Sequence, residues 1–206
     1  GIVSIHVAGR QSGTCSAAKL AAQESPVPVE VVDSETTAMA QGFVVLEAAR
    51  AALEGGTLSE VVERARSMVP HVEVVALLES IEYAFRGGRL ASGARLLGAL
   101  LRIQPLVKVS ENKVSLVGQV RRRRSGITNL VERVTSRVED RPTHLTVHYA
   151  EDKEEGKRLL DTLREKINCV EHYLIHIPVA LGVHAGPGSI GVAYYVEGGP
   201  VEQESL

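Results

Sequence analysis

Aromatic residues and cysteines are scarce in this sequence. Among its 206 residues there is no Trp, and Phe, Trp and Tyr together make up 3%. Proteins that bind single-stranded nucleic acid stack its bases on aromatic side chains, so this scarcity argues against such a surface. Only two cysteines occur, Cys15 and Cys169, and they lie far apart. They exclude a disulfide framework and favour a reducing compartment, the cytoplasm.

The sequence also lacks an excess of charge of either sign and any long apolar run. Lys and Arg number 23 against 25 Asp and Glu, a net charge of −2 that excludes a basic nucleic-acid footprint over the whole chain. No apolar run reaches the length of a membrane span, and no signal peptide is recognised. The seven histidines show no metal-ligand spacing, so we predict no metal and no cofactor. An apolar content of 44% indicates a globular chain.

Strand and helix patterns alternate along the chain and predict an α/β fold. From residue 1 to 70 the order strand, helix, strand, helix is typical of a parallel sheet with right-handed crossovers. After Pro70 a hairpin pattern appears around Ser110–Lys113, which indicates a mixed sheet. We therefore predict two α/β domains: a parallel-sheet N-terminal domain over 1–70 and a mixed-sheet C-terminal domain over 71–206. Because the first strand begins abruptly at Ile2, we expect the N-terminal domain to be truncated.

Two short segments contain side chains suited to binding an anion. Ser12-Gly13-Thr14 stands between a strand and a helix, where hydroxyl groups cap the free N–H groups of a helix start. With Gly13 permitting close backbone approach, the same residues form a seat for a carboxylate or phosphate. Gly87-Gly88-Arg89 is either a helix end followed by a solvated arginine or a site where Arg89 holds a planar anion with two hydrogen bonds.

A third segment adds a histidine, and a fourth adds a run of arginines. The pattern from Val183 to Tyr195 predicts a glycine-rich loop before the last strand, in which His184 is either structural or free to face a ligand. The four arginines Arg121–Arg124 open a predicted helix. Such a run is usually a solvated face, and a nucleic-acid regulator is its weaker interpretation given the net charge.

The pattern over 91–101 predicts a helix that is apolar almost all round. Leu96, Leu97, Leu100 and Leu101 cover more than one side of it, so it is either buried on several sides or lines an apolar cavity. A fatty acid requires an anion-binding site for its carboxylate next to an apolar tunnel for its chain.

Several motifs, in this order across the chain, resemble the DegV family of bacterial fatty-acid-binding proteins. They are Ser12-Gly13-Thr14, Asp33-Ser34, Ala38-Met39-Ala40-Gln41-Gly42, Glu82-Tyr83, Gly87-Gly88-Arg89-Leu90, Gln104-Pro105-Leu106, Gly118 with Val120-Arg121, and His184-Ala185-Gly186-Pro187-Gly188 with Gly191. The family pattern also has an N-terminal Asp-Ser-Thr segment and a Thr-Ser-Gln-Pro segment, which these residues lack. The resemblance therefore implies that roughly the first quarter of the pattern is missing.

The resemblance implies a protein that is not itself an enzyme and that encloses a long-chain fatty acid such as palmitate in a tunnel between its domains. In the FakB branch of the family the carboxylate is presented to a separate kinase, which makes the acyl-phosphate. By matching position, Ser12 and Gly13, with Arg89 and His184, would bind the head group, and Arg121 would face the kinase. The alternative hypothesis is a small hydrolase or acyltransferase with Ser12 as nucleophile and His184 as base.

Overall fold

The computed structural model describes residues 1–89 and 103–198 and builds them into two sheets. The predicted helix over 91–101 lies outside these residues. In chain order the elements are β1 (Ile2–His6), α1 (Thr14–Gln23), β2 (Val29–Asp33), α2 (Ala38–Leu53), α3 (Leu58–Met68), a 3₁₀ turn (Val69–His71), β3 (Glu73–Leu77), α4 (Glu82–Arg86), β4 (Gln104–Ser110), β5 (Lys113–Val120), α5 (Arg123–Val138), β6 (Thr143–Tyr149), α6 (Lys153–Arg164), β7 (Cys169–His176), α7 (Val179–Ala185) and β8 (Ile190–Val196).

The two sheets confirm the predicted fold class. Strands β1 and β2 pair in parallel, with Ser4 opposite Val31. The second sheet is mixed, with strand order β5-β4-β3-β8-β6-β7, and its only parallel pair among the described residues is β6 with β7. The β4–β5 hairpin turns at Glu111 and Asn112, both at positive φ, as a two-residue turn matched to the sheet twist requires.

Helices cover both faces of the six-stranded sheet because its strands are apolar on both sides. On one face, Leu130 of α5 and Leu163 of α6 pack against Val192 of β8. On the other face, Phe43 of α2 packs in a cluster with Tyr195 of β8, and the same cluster reaches the β1–β2 sheet through Val32. Helices α2 and α3 therefore lie between the two sheets.

The predicted boundary at residue 70 coincides with the change from one sheet to the other along the chain. However, the apolar cluster around Phe43 contains residues from both sides of that boundary, including Val72 and Ala193. The division into domains 1–70 and 71–206 therefore stays a prediction.

Local signals set several helix boundaries. Thr57 and Glu60 form a reciprocal capping box at the start of α3, which satisfies two backbone N–H groups. Asp152 caps α6 by accepting a hydrogen bond of 2.8 Å from the backbone N–H of Glu155. Among residues 1–89 and 103–198, no helix is both long enough and apolar enough to cross a bilayer.

One element prediction was wrong. The segment expected to be a glycine-rich loop from Val183 instead begins inside a helix, α7, which starts at Val179 and ends only at Ala185. The loop proper is Gly186–Ser189. Gly186 ends the helix at φ +83, a left-handed conformation that glycine adopts without strain.

Candidate functional site

The loop that follows β1 lies at the carboxyl ends of two parallel strands. Ser12 belongs to this loop, and Asp33 is the last residue of the neighbouring strand β2. In open α/β sheets, ligands bind in the crevice outside these strand ends. The backbone N–H groups of Gln11 and Ser12 both donate to the carbonyl of Ala8, at 2.9 and 3.1 Å, so the loop is a tight turn.

Asp33 fixes the conformation of this loop. Its two carboxylate oxygens both accept from the backbone N–H of Gly9 at 3.1 Å, and Oδ1 also accepts from the N–H of Glu35 at 2.9 Å. A Cβ at Gly9 would lie 2.6 Å from Asp33 Oδ2, so only glycine allows this approach. The motif Asp33-Ser34 thus acts by holding the loop that carries Ser12.

The tip of the β4–β5 hairpin supplies a residue that the sequence analysis missed. Asn112 Oδ1 accepts from the backbone N–H of Arg10 at 3.2 Å, and Asn112 Nδ2 donates to Asp33 Oδ2 at 3.4 Å. Asn112 also donates its backbone N–H to the carbonyl of Glu35 at 2.8 Å. The hairpin therefore holds both the Ser12 loop and the segment after β2. The turn was visible in the sequence, but its contact across about a hundred residues had no local signal.

Arg89 reaches the same loop from the other side. Its Nε donates to the carbonyl of Gln11 at 3.1 Å and its Nη1 donates to the carbonyl of Gly87 at 2.6 Å. A guanidinium has five N–H donors, so these two bonds leave three for an anion. Because Gln11 is the neighbour of Ser12, the structure brings Arg89 and Ser12 together.

His184 lies in the last turn of α7, beside the Gly87-Gly88-Arg89 turn. Its ring contacts Gly87 so closely that a Cβ there would overlap Nδ1, which explains the glycine. Partial burial, and after it the positive charge of Arg89, lowers the pKa of His184 below its usual value. The Nδ1 atom of His184 is buried and has no hydrogen-bond partner among the described residues. Arg89 therefore links Ser12 and His184 in one neighbourhood.

Two further residues predicted for the site, Gly13 and Arg121, make none of these contacts. Gly13 precedes α1 with φ −74, and a Cβ there would meet nothing within 4 Å, so its backbone is open to a ligand but requires no glycine. Arg121 is exposed and follows β5, at the opposite end of the hairpin from Asn112. At about 3.4 Å per residue, the eight residues of β5 put it roughly 25 Å from the hairpin tip.

The arginine run is only partly free. Arg123 makes a two-fold hydrogen bond with Glu155 of α6, at 3.0 and 2.5 Å, beside a cleft of about 330 Å³. Arg121, Arg122 and Arg124 are exposed. Helix α5 begins at Arg123, so Arg121 and Arg122 lie before it rather than within it.

The hydroxyl of Ser12 is not arranged as a nucleophile. Ser12 Oγ accepts from the backbone N–H of Thr14 at 3.3 Å and lies 3.2 Å from the Thr14 hydroxyl. Within residues 1–89 and 103–198, no hydrogen bond joins Ser12 to His184. The site thus offers N–H and O–H groups to an acceptor, as a carboxylate requires, rather than a serine activated by a base.

A separate ionic cluster ties α2 to the six-stranded sheet. Burial alone would raise the pKa of Glu47, but hydrogen bonds from Arg50, Arg64 and the Tyr195 hydroxyl outweigh burial and hold that pKa below its usual value. Arg50 also bonds Glu171 at 2.9 and 3.0 Å. The cluster is structural, because these groups satisfy one another.

The fold and the site define an α/β protein whose Ser12 loop lies at the carboxyl ends of two parallel strands. The family model described as "uncharacterised protein, DegV family" matches residues 1–197. A DegV domain-containing protein from Streptomyces coelicolor is 34% identical over 193 residues, which are 93% of this chain and 69% of that protein. The chain belongs to the DegV family, as its motifs indicated.

Solved structures agree with this assignment. A DegV family protein from Thermus thermophilus, described as binding fatty acid, has a TM-score of 0.86 at 27% identity, covering 94% of this chain and 70% of that one. DegV from Bacillus subtilis, described as a fatty acid binding protein, has a TM-score of 0.81 at 25% identity, covering 95% and 70%.

Proposed function

We propose that this chain binds a long-chain fatty acid, with palmitate as the representative ligand, and holds its carboxylate at Ser12, Arg89 and His184. The observation that carries the proposal is the position of Arg89, which bonds the backbone carbonyl of Gln11, next to Ser12, and that of Gly87, which the His184 ring contacts. The remaining N–H groups of Arg89 suit a planar carboxylate. The relatives from Thermus thermophilus and Bacillus subtilis support the choice of ligand, since both are described as fatty-acid binders. Gly13 exposes backbone beside the same head group.

The acyl chain supplies most of the binding free energy in this proposal. At about 0.8 kcal/mol per buried CH₂, a palmitate chain gains roughly 11 kcal/mol before the cost of association is subtracted. We propose that the chain enters a tunnel between the two α/β parts, as the resemblance implies. The two free cysteines support a cytoplasmic setting for this binding.

Lipid analysis of the purified protein tests the proposal. We expect native mass spectrometry to detect one long-chain fatty acid per chain and denaturation to release it. Arg89→Ala is expected to lose the lipid, whereas Arg86→Ala, which removes an exposed arginine that pairs with Glu82, is expected to keep it. Protein that neither carries nor takes up palmitate contradicts the proposal, and so does Arg89→Ala that retains it.

We further propose that the bound carboxylate is presented to a separate ATP-dependent kinase, with Arg121 on the docking face. Arg121 is exposed and far along the hairpin from Asn112, so its charge can orient a partner without contacting the ligand. Such steering weakens as ionic strength rises.

Reversing the charge of Arg121 distinguishes a protein that presents palmitate to a kinase from one that only stores it. Arg121→Glu is expected to leave palmitate exchange unchanged while abolishing acyl-phosphate formation with the kinase. Arg66→Glu reverses another exposed arginine, on α3, and serves as the matched control. If Arg121→Glu leaves both measurements unchanged, Arg121 has no docking role; if both are lost, it belongs to the binding site or to the fold.

A further inference from the structure

His148 lies at the contact between β6 and the start of α2. Its side chain is buried, with 4% of its surface exposed. In the sheet it stands between Ile175 of β7 and Gly191 of β8, neither of which is ionisable. The sequence analysis found no metal-ligand spacing among the histidines and assigned no role to His148.

The ring of His148 accepts a hydrogen bond from the backbone of α2. The N–H of Met39 donates to His148 Nε2 at 3.2 Å, across 109 residues of sequence. Nε2 must therefore carry a lone pair, which leaves the ring neutral with its proton on Nδ1. Burial lowers the pKa of His148 to about 4, in agreement with a neutral ring.

The start of α2 has an unusual backbone conformation and no cap from its preceding residue. Thr37, the residue before the helix, makes no side-chain capping bond. Ala38 and Glu35 both adopt positive φ, at +55° and +56°, although neither is glycine. Side chains with a Cβ tolerate this conformation only where surrounding contacts impose it. The bond from Met39 to His148 is such a contact, and it lies one residue from Ala38.

The segment that His148 anchors also carries the contacts of the head-group loop. At its beginning, Asp33 holds Gly9, and the carbonyl of Thr36 accepts the N–H of Ala8 at 2.8 Å. Residues 33–39 therefore connect the Ser12 loop at one end to His148 at the other.

We propose that neutral His148 is a positioning residue, which fixes the start of α2 and, through residues 33–39, the loop that carries Ser12. A protonated ring has no lone pair for the Met39 N–H and adds positive charge at the positive end of a helix. Acid therefore releases this anchor and loosens the head-group site. This inference rests on the proposed function only in the experiment that measures palmitate release.

No other charged group explains such a response at His148. The ionisable groups on the same face of the sheet and on the helix against it bond among themselves at the other end of α2; they are His144, Glu171, Tyr173, Tyr195, Glu47 and Arg50. The lowered pKa of His148 has burial as its only cause.

Hydrogen exchange of the Met39 amide tests the anchor in the unaltered protein. If opening restores an ordinary histidine, the opening equilibrium at Met39 rises roughly twentyfold between pH 7 and pH 5. We expect the protection factor of Met39, corrected for intrinsic exchange, to fall by that amount, while that of Leu160 in α6 does not follow it. Unchanged protection at Met39 overturns the proposal.

Substitution then links the anchor to the ligand. His148→Gln keeps an acceptor that does not titrate, so the acceleration of radiolabelled palmitate release between pH 7 and pH 5 should be smaller for this variant than for the wild type. The titration of His184 at the head-group site is common to both proteins and cancels in the comparison. Thr146→Val, on the same buried face, is the control and should follow the wild type. Identical pH profiles for His148→Gln and wild type overturn the proposal. If the wild type does not hold palmitate at pH 7, the proposed function is contradicted. The role of His148 is then decided by hydrogen exchange of the Met39 amide alone.

Discussion

Replacing Asp33 by Asn tests whether one carboxylate organises the candidate site. The substitution keeps size and shape but turns one oxygen into an NH₂ group. In the structure, the Gly9 N–H bridges both oxygens, Glu35 donates to Oδ1 and Asn112 donates to Oδ2. In either orientation of the amide, its NH₂ group faces the donor of Glu35 or that of Asn112, and the Gly9 N–H keeps only one of its two acceptors.

The expected cost follows from these bonds. A hydrogen bond to a charged group contributes roughly 1.5–3 kcal/mol, and Asp33 is half-buried, so we expect Asp33→Asn to lower the free energy of unfolding by about 2 kcal/mol. For a protein of this size that corresponds to a fall in Tm of roughly 4–8 °C. The Gly9 amide should lose its protection in hydrogen exchange, and palmitate should leave faster because the Ser12 loop is released.

Asp152→Asn is the matched control. Asp152 also accepts from a backbone N–H, at 2.8 Å, but it is an exposed helix cap, where Asn serves nearly as well as Asp. Urea denaturation of the two variants gives the comparison. If Asp33→Asn is as stable as Asp152→Asn and protects Gly9 as the wild type does, Asp33 does not organise the loop.

Three further predictions follow from the site and the core. Ser12→Ala should weaken palmitate retention by about 1–2 kcal/mol, through a lost hydrogen bond to a charged group, and unchanged exchange of labelled palmitate would exclude that role. Gly87→Ala should displace the His184 ring, which a Cβ would overlap, and so speed palmitate release; a crystal structure of the variant with His184 unmoved contradicts this. In wild type, the stability that neutral His148 provides is complete above pH 6.5 and is lost as pH falls toward its folded pKa of about 4, a loss of about 3 kcal/mol by pH 4. The carboxylates Glu47 and Glu171 have ordinary pKa values of 4.5 that the fold lowers, so their contributions decline only below pH 4.5. The pKa of His184 is also lowered from 6.5, so the contribution of His148 is the difference between wild type and His148→Gln in denaturation between pH 6.5 and pH 5.

The sequence was sufficient to predict the elements whose signals are local. Short runs of apolar, β-branched residues indicated β1 and β2, and the Ser110–Lys113 pattern predicted the hairpin. A short strand and a tight turn both depend on neighbouring residues. Helix α7 was missed since seven residues containing Gly182 carry a weak helical pattern beside Gly186-Pro187-Gly188. Pro178 before it and Gly186 at its end were the signals available.

The candidate site was predicted less completely because it depends on contacts between distant segments. The motifs named Ser12, Arg89 and His184. In the structure Arg89 bonds the backbone carbonyl next to Ser12 and that of Gly87, which the His184 ring contacts. Nothing near Asn112 in sequence indicates its bonds to Arg10 and Asp33, and nothing near His148 indicates Met39. These partners are set by how the sheets and α2 pack, which is a property of the whole fold.

The position of β8 determines when the six-stranded sheet is completed during synthesis. This strand, Ile190–Val196, pairs with β3 on one side and β6 on the other, and so joins β5-β4-β3 to β6-β7. Until those residues leave the ribosome, the nascent chain has two half-sheets with open edges at Glu73–Leu77 and Thr143–Tyr149. Pairings over more than a hundred residues also form slowly. The interval before β8 leaves the ribosome is therefore when these half-sheets are most exposed to edge-to-edge aggregation and most dependent on chaperones.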